Sequence, residues 1–240
     1  MRAIFIADAH LRQPGDRNYR LLMEFLAGLR GNVDTLYILG DLFEFWIGYD
    51  PVPFTHYLPL LDRLRELVDS GVRIEYFEGN HDFHMGPFFT ETLRATVHPG
   101  PAVIDIQGER LYLCHGDEVN RKDYPYRLLR FILHSSLTRA ATRIVPPAVT
   151  CRIAVGMSRE SRKNHGRRRH RWDYAAILRA FAAERFREGC RAVVAGHFHQ
   201  PFIDRNDDGT VLLSLGDWLT HYTYGEWSDG TLSLKTYGTP

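Results

Sequence analysis

Residues 73–82 read RIEYFEGNHD, an apolar run followed directly by a Gly-Asn-His-Asp tetrapeptide. The run from Arg73 to Glu78 predicts a β-strand, because Ile, Tyr and Phe are common in strands. Open α/β sheets carry their sites at the carboxyl ends of strands, which is where this tetrapeptide lies. The stretch therefore predicts a sheet whose carboxyl edge bears a functional site.

Four other segments place Asp or His at the end of an apolar run. A single Gly-Asp after a strand is usually a turn, and a single His is more often a hydrogen-bonded core residue than a metal ligand. Five such segments at strand ends indicate one shared site. The four are Asp8-Ala9-His10, Gly40-Asp41, His115-Gly116-Asp117 and Gly196-His197-Phe198-His199.

The residue types in these segments predict a two-metal centre. In extended backbone, residues i and i+2 point to the same side about 6.5 to 7 Å apart, so Asp8 with His10 and His197 with His199 can reach neighbouring ions. Two ions about 3.5 to 4 Å apart need a shared anionic ligand, for which Asp41 is the best candidate. Mixed carboxylate, imidazole and amide ligands favour Mn²⁺, with Fe²⁺ or Zn²⁺ as alternatives, over Ca²⁺ or Mg²⁺.

Alternation of short apolar runs with stretches of helical period predicts a layered α/β fold. Helical spacing is clear from Tyr19 to Leu29 and from Phe54 to Val68. Three late runs at 211–215, 222–227 and 232–237 are expected to pair as antiparallel strands of a second sheet. The earlier predicted strands are Arg2 to Ala7, Thr35 to Leu39, Arg73 to Glu78, Arg110 to Cys114 and Ala192 to Ala195.

Composition and sequence pattern argue against a secreted, a membrane-spanning or a disulfide-rich protein. The 240 residues, 44% of them hydrophobic, suit a single domain spanning 1–240. The sequence has no signal-peptide pattern and no run of about 18 apolar residues, so a cytoplasmic protein without a spanning helix is expected. The three scattered cysteines, Cys114, Cys151 and Cys190, fit neither a disulfide framework nor a thiolate metal site, and are expected to be reduced.

Positive charge is concentrated in one segment. Residues 121–171 hold 14 of the 30 Lys and Arg but only two of the 29 acids, which gives the segment a net charge of +12 and the remainder −11. This asymmetry is typical either of a basic surface over an acidic body or of a solvated Arg-rich helix. A helical pattern, a Pro-Pro pair at 146–147 and an Arg-rich run at 159–171 predict a helical cap inserted at 123–171.

In this order, Asp-x-His, Gly-Asp, Gly-Asn-His-Asp, His-Gly-Asp and Gly-His-x-His resemble the signature of the calcineurin-like metallophosphoesterases. The resemblance implies two facing mixed β-sheets flanked by helices, and a water molecule activated by two ions that attacks phosphorus in line. It also implies two overlapping ligand sets, which are Asp8, His10, Asp41 and His199 for one ion and Asp41, Asn80, His115 and His197 for the other.

The Gly-Asn-His-Asp segment supplies the catalytic candidates Asn80, His81 and Asp82. His81 belongs to neither ligand set, and an imidazole beside the ions can donate to a phosphoryl oxygen or protonate the leaving group. Asp82 either orients His81 or caps the N-terminus of a helix, and the sequence leaves both interpretations open.

A narrower resemblance is to the UDP-2,3-diacylglucosamine pyrophosphohydrolases of lipid A biosynthesis. It is carried by YILGDLFEFW at 37–46, by the His-Gly-Asp segment with Asp123 and Tyr126 after it, and by SRES at 158–161. This chain has His81 where better-known members have Arg, and its Gly-Asp-Trp at 216–218 resembles a more distant branch. The substrate contacts implied by position are Asn80, His81, Asp123, Tyr126, Ser161, Arg168 and His197.

The resemblance implies a lipid-linked nucleotide sugar as substrate, cleaved to UMP and 2,3-diacylglucosamine 1-phosphate at the cytoplasmic face of the inner membrane. The basic cap is then expected to face substrate and the anionic membrane surface. A metallophosphoesterase that acts on another phosphoester would have the same metal motifs but no need for such a cap. A nuclease would use the basic segment for phosphate contacts, but nucleic acid is not the expected partner. A non-catalytic docking protein with structural metals is the remaining alternative.

Overall fold

Two β-sheets lie face to face, and helices cover both outer surfaces. The computed structural model describes residues 1–141, 144–147, 149–150, 156 and 172–238. Side chains point alternately to the two faces of the first strand, which produces these layers. Phe5 points between the sheets with Leu113 and Val194, whereas Ile4 and Ile6 pack beneath helices. The apolar core therefore has one layer between the sheets and further layers beneath the helices.

The strands are arranged in two large mixed sheets and one short pair. The first sheet has the order β13-β12-β1-β2-β4-β6, the second has β10-β11-β9-β8-β7, and β3 pairs with β5. Neighbours from β1 to β6 in the first sheet are parallel, as are β8, β9 and β11 in the second. This arrangement confirms the expected fold class. The bounds are β1 (Arg2–Ile6), β2 (Thr35–Leu39), β3 (Trp46–Ile47), β4 (Arg73–Phe77), β5 (Asp82–Phe83), β6 (Thr96–His98), β7 (Ala102–Ile106), β8 (Glu109–Cys114), β9 (Ala192–Ala195), β10 (Phe202–Arg205), β11 (Val211–Ser214), β12 (Thr223–Ser228) and β13 (Thr231–Thr236).

The prediction for the last three strands was wrong in part. β11 lies in the second sheet but pairs parallel with β9. The β12–β13 hairpin, which turns at Asp229-Gly230, joins the first sheet through β1. The chain changes sheet in the loop after β11, where Trp218 is fully buried in the core beneath the helices of the first sheet. Alternating hydrophobicity identifies a strand but does not choose its sheet.

Helices on the two outer surfaces complete the layers. α1 and α2 pack on the first sheet, and α5 packs on the second through Leu178 and Ala182. None of the described helices is long and apolar enough to cross a lipid bilayer. Cys114 and Cys190 are free and buried, and Cys151 lies outside the described residues. The helices are α1 (Arg17–Leu29), α2 (Leu58–Asp69), α3 (Tyr124–Leu133), α4 (Ser136–Ala141) and α5 (Tyr174–Arg187).

The described part of the predicted cap begins with two short helices, α3 and α4. The hydroxyl of Ser135 accepts from the backbone N–H of Thr138 over 3.2 Å, so α4 begins anew after α3 ends. The leucines of these helices have different environments: Leu133 packs against the core, whereas Leu129 and Leu137 are exposed. The run 159–171 lies outside the described residues, and the division into one domain with an inserted cap stays a prediction.

Candidate metal centre

The carboxyl ends of parallel strands from both sheets meet at one edge of the molecule. β1, β2 and β4 of the first sheet end there, as do β8 and β9 of the second. The backbone N–H of His197 donates to Oδ2 of Asp8 over 2.7 Å, and that of Gly196 donates to the carbonyl of His115 over 2.8 Å. The five polar segments therefore converge on one site, as the sequence predicts.

Asp8, His10 and His199 form the first of two side-chain clusters, with their ligand atoms within 4.8 Å of one another. Nε2 of His199 lies 3.4 Å from Oδ1 of Asp8, and Nε2 of His10 lies 3.9 Å from the same oxygen. Asp8 is fully buried, and its Oδ1 has no hydrogen-bond partner. A buried carboxylate oxygen without a donor is costly unless a cation or a proton satisfies it.

Asp41 faces members of both clusters through a single oxygen. Its Oδ2 lies 3.6 Å from Nε2 of His10 and 3.5 Å from Nε2 of His115. Asp41, His115 and His197 also have ligand atoms within 4.8 Å of one another. The geometry thus suits Asp41 to the bridging position that the sequence predicts for it.

Asn80 completes the second cluster. Its Oδ1 lies 3.1 Å from Nε2 of His115, while Nδ1 of His115 is 2.8 Å from the backbone carbonyl of Leu39. Because a carbonyl can only accept, Nδ1 donates to Leu39 and is not free to bind an ion. The Leu39 contact therefore orients the ring so that Nε2 is the nitrogen that can face a metal.

The seven predicted ligands fit a pair of divalent ions. Ligand atoms about 2.0 to 2.2 Å from one ion lie about 2.8 to 3.6 Å apart in tetrahedral or octahedral shells. The separations of 3.4, 3.5 and 3.6 Å fall in this range, and the 3.9 Å between Nε2 of His10 and Oδ1 of Asp8 lies slightly beyond it. Two carboxylates, four imidazoles and an amide form a donor set that suits Mn²⁺, Fe²⁺ or Zn²⁺.

Several of these residues have an unusual backbone conformation. Non-glycine residues seldom adopt a positive φ, and such strain is concentrated at functional sites. Five such residues lie where the chain leaves β1, β2 and β9. The residues with positive φ are Asp8 (55°), His10 (43°), Asp41 (53°), His197 (69°) and His199 (53°).

Burial and close contact shift the pKa values of the clustered groups. Burial raises the pKa of Asp8 to about 6 and lowers the pKa of His197 to about 3. Burial also acts to raise the pKa of Asp41, but neighbouring imidazoles hold it below its ordinary value. For His115, burial lowers the pKa while Asp41 and Asp8 raise it more, to about 9. Buried carboxylates here depend on adjacent positive charge, which a metal ion can provide.

A family model described as calcineurin-like phosphoesterase matches residues 1–201. The chain belongs to the calcineurin-like phosphoesterase family. It is accordingly a metal-dependent hydrolase of phosphate esters or pyrophosphates. A solved structure described as a novel archaeal phosphodiesterase has the same fold, with a TM-score of 0.51, 14% identity, and coverage of 98% of this chain and 99% of that chain.

Several sequence relatives are named UDP-2,3-diacylglucosamine hydrolase. One from Pseudomonas syringae pv. syringae (strain B728a) is 34% identical over 225 residues, or 90% of this chain and 87% of the relative. One from Pseudomonas aeruginosa (strain UCBPP-PA14) is 33% identical over 222 residues, or 91% of each chain. One from Edwardsiella ictaluri (strain 93-146) is 32% identical over 232 residues, or 92% of this chain and 86% of the relative.

In this phosphoesterase, His81 lies beside the first cluster. One of its ligand atoms is within 4.8 Å of those of His10 and Asp41, and its ring meets that of His10 edge-on at 4.7 Å between centroids. Nδ1 of His81 lies 2.8 Å from the backbone carbonyl of Glu44, so Nδ1 carries a proton. The backbone carbonyl of Glu44 thereby fixes the orientation of the His81 ring. This contact requires the loop after β2 and the loop after β4 to be adjacent in space.

Asp82 has a different role from either one considered for it. It lies in β5 and not at the start of a helix, and the ring of His81 is oriented by Glu44. The buried carboxylate of Asp82 instead accepts from the Tyr76 hydroxyl over 2.6 Å. It also accepts backbone N–H groups from Asp41, Leu42, Phe43 and Gly79. Asp82 therefore ties the Gly-Asp loop to the Gly-Asn-His-Asp loop of the phosphoesterase.

Helix α3 is attached directly to the edge that bears the two clusters. The Tyr126 hydroxyl donates to Oδ2 of Asp117 over 2.9 Å, and Nε of Arg130 donates to the same oxygen over 2.6 Å. The ring of Tyr126 lies 5.7 Å from that of His197 between centroids. Asp123 is the N-cap of α3, where it accepts from the backbone N–H of Tyr126.

The other two predicted substrate contacts, Ser161 and Arg168, lie outside the described residues. Sequence reasoning assigned no role to Asp217, whose carboxylate contacts the metal-site His199. The Gly-Asp-Trp segment that contains Asp217 was a visible signal, but its position beside His199 depends on the fold.

Proposed function

We propose that this phosphoesterase hydrolyses the pyrophosphate of UDP-2,3-diacylglucosamine, releasing UMP and 2,3-diacylglucosamine 1-phosphate for lipid A biosynthesis. The observation that carries the proposal is the full-length similarity to proteins named UDP-2,3-diacylglucosamine hydrolase, which are 32 to 34% identical over about 90% of the chain. Similarity of this extent includes the metal-site edge and the cap, and not the metal motifs alone.

Two divalent ions, with Mn²⁺ as first choice, would be held by the two clusters. Asp8, His10, Asp41 and His199 would hold one, and Asp41, Asn80, His115 and His197 the other. Bound ions supply charge neutralisation at the phosphoryl oxygens and lower the pKa of water. The unpartnered Oδ1 of Asp8 and the shared Oδ2 of Asp41 support this assignment.

His81 would act on the substrate and not on the metals. Its ring is fixed by Glu44, next to the edge where the scissile phosphorus must lie. Because Nδ1 donates to Glu44, Nε2 is the nitrogen left for substrate, and the imidazolium form can donate from it to a phosphoryl oxygen or to the leaving oxygen. Asn80 and His197 would contact substrate beside their ion, with Tyr126 as a neighbour on the cap side.

The cap would bind the lipid part of the substrate and the membrane surface. On α3, Leu128 is 61% and Phe131 74% exposed, and the exposed Arg127 is next to Leu128 in the sequence. Apolar side chains suit acyl chains, and adjacent basic groups suit pyrophosphate and anionic lipid. Asp123, Ser161 and Arg168 would contact the substrate, and the basic cap would hold the protein at the cytoplasmic face of the inner membrane.

Relative turnover of a substrate panel tests the proposal. With Mn²⁺ present, kcat/KM is measured for UDP-2,3-diacylglucosamine, unacylated UDP-N-acetylglucosamine, a cyclic nucleotide, a phosphopeptide and single-stranded DNA. We expect the acylated nucleotide sugar to be preferred by at least tenfold over every other compound. Equal or better turnover of any other compound would replace this function with a different phosphoesterase activity.

A further inference from the structure

The loop that follows β11 brings a second carboxylate to His199, on the side opposite the metal site. Oδ2 of Asp217 lies 3.3 Å from Nδ1 of His199. On the other side of the same ring, Nε2 lies 3.4 Å from Oδ1 of Asp8. Asp217 is 3% exposed. The imidazole is therefore held between two buried carboxylates, one at each nitrogen.

The two oxygens of Asp217 have different partners. Oδ1 accepts three backbone N–H groups, from Leu219 over 2.9 Å, Thr220 over 2.7 Å and His221 over 3.1 Å. Oδ2 instead faces imidazoles, since Nδ1 of His221 lies 3.0 Å away in addition to that of His199. The Thr220 hydroxyl contacts both oxygens. Oδ1 therefore forms the turn, and Oδ2 is left to orient side chains.

The loop is also fixed relative to the metal site by its backbone. The N–H of Trp218 donates to the carbonyl of Asp8 over 3.1 Å. The Trp218 side chain is fully buried and lies 4.9 Å from the ring of Phe25 between centroids. Neither Asp8 nor His199 can shift without moving this loop.

We propose that Asp217 is a positioning residue that sets the tautomer of His199. Oδ2 accepts from Nδ1–H of His199, and this leaves Nε2 unprotonated and directed towards the ion held with Asp8 and His10. A neutral imidazole has one donor and one acceptor nitrogen, so fixing the proton at Nδ1 is what makes Nε2 a ligand. This inference rests on the two-ion centre proposed above and adds a residue outside its ligand sets.

The substitution Asp217→Asn tests the role of Oδ2 apart from that of Oδ1. The amide oxygen can keep the three backbone donors at the Oδ1 position, while the amide NH₂ replaces Oδ2 with a donor. Nδ1 of His199 must then accept, its proton moves to Nε2, and the lone pair aimed at the ion is lost. We expect one of two Mn²⁺ ions to bind about 10- to 100-fold more weakly, the usual loss when such a partner is removed.

Calorimetric titration with Mn²⁺ and electron paramagnetic resonance measure this without substrate. Magnetic coupling between adjacent ions should be present in the wild type and in the control His221→Ala, which removes the other imidazole from Oδ2. The coupling should be absent in Asp217→Asn at equal metal concentration. The unfolding midpoint of this variant without metal should equal that of the metal-free wild type. A variant with wild-type affinity for both ions would overturn the proposal.

Two further results distinguish failure of this inference from failure of the two-ion centre. If the wild type binds a single ion, the two-ion centre is wrong and the inference fails with it. For wild-type protein loaded with Zn²⁺, long-range ¹H–¹⁵N spectra assigned with His199→Gln should show the proton of His199 on Nδ1. A proton on Nε2 would overturn the proposal even if Asp217→Asn did not fold.

Discussion

The backbone N–H of His81 donates to Oδ1 of Asp41 over 2.9 Å. Because this bond occupies one carboxylate oxygen, Oδ2 is the oxygen that faces both His10 and His115, at 3.6 and 3.5 Å. The Gly-Asn-His-Asp loop therefore determines which oxygen of Asp41 lies between the two clusters. Asp82 reinforces this arrangement by accepting the Asp41 backbone N–H over 2.9 Å.

Removing the shared carboxylate should impair both metal sites. We expect Asp41→Ala to lose tight binding of two ions, whereas His10→Ala should mainly weaken one, because Asp41 alone belongs to both ligand sets. Metal analysis of purified protein by mass spectrometry measures this, with Asp62→Ala, an exposed helix carboxylate, as the control. Two tightly held ions in Asp41→Ala would rule out the bridging role.

Removing the imidazole of His81 should affect turnover and leave the metals in place. We expect His81→Ala to keep both ions and the wild-type unfolding midpoint, while kcat falls by roughly 10²-fold, the scale of a lost proton-transfer group. Steady-state kinetics combined with metal analysis measures this. Loss of an ion would make His81 a ligand, and near wild-type kcat would make its role structural.

Gly79 is required because the Gly-Asp loop after β2 and the Gly-Asn-His-Asp loop after β4 pack closely together. A Cβ at this position would lie 2.6 Å from the Asp41 backbone nitrogen and 2.9 Å from Oδ1 of Asp82, closer than real Cβ atoms approach. Gly79→Ala should therefore displace Asp41, weaken binding of both ions and lower the unfolding midpoint. Gly28→Ala on α1, which has open space around it, should raise stability slightly, by about 0.5 to 1 kcal/mol. Equal midpoints for the two variants would contradict this account.

Positive charge in the cap should matter for the natural substrate alone. We expect Arg167→Ala combined with Arg168→Ala to raise KM for UDP-2,3-diacylglucosamine, since each lost phosphate contact costs about 1.5 to 3 kcal/mol when it is charge-assisted. Turnover of a small unacylated phosphodiester, which needs only the metal centre, should stay nearly constant. Arg20→Ala combined with Arg187→Ala removes the same charge from the body as a control. Equal losses on both substrates, or none, would exclude the cap as the recognition element.

The sequence predicted most strands within one residue, because buried parallel strands are short, continuous apolar runs. β2 and β9 have the predicted bounds. The sheet assignment of 222–237 failed, since pairing with β1 depends on the path of the Trp218 loop and not on local pattern. α4 was not separated from α3, because the cap made by Ser135 is visible only in its geometry.

The convergence of the polar segments could be predicted because each segment directly follows a strand, and strand ends of both sheets share one edge. The roles of Asp82 and Asp217 could not. Asp82 accepts N–H groups from a loop about 40 residues away in the sequence, and Asp217 reaches His199 only after the chain has formed β10 and β11. Such contacts depend on which loops the fold brings together.

The most direct test of the proposed function is to identify the products by mass spectrometry after incubating the protein with UDP-2,3-diacylglucosamine and Mn²⁺. Hydrolysis of the pyrophosphate predicts UMP and 2,3-diacylglucosamine 1-phosphate in equal amounts, with neither product formed by Asp41→Ala. Unchanged substrate, or release of UDP with the free acylated sugar, would contradict the proposed reaction.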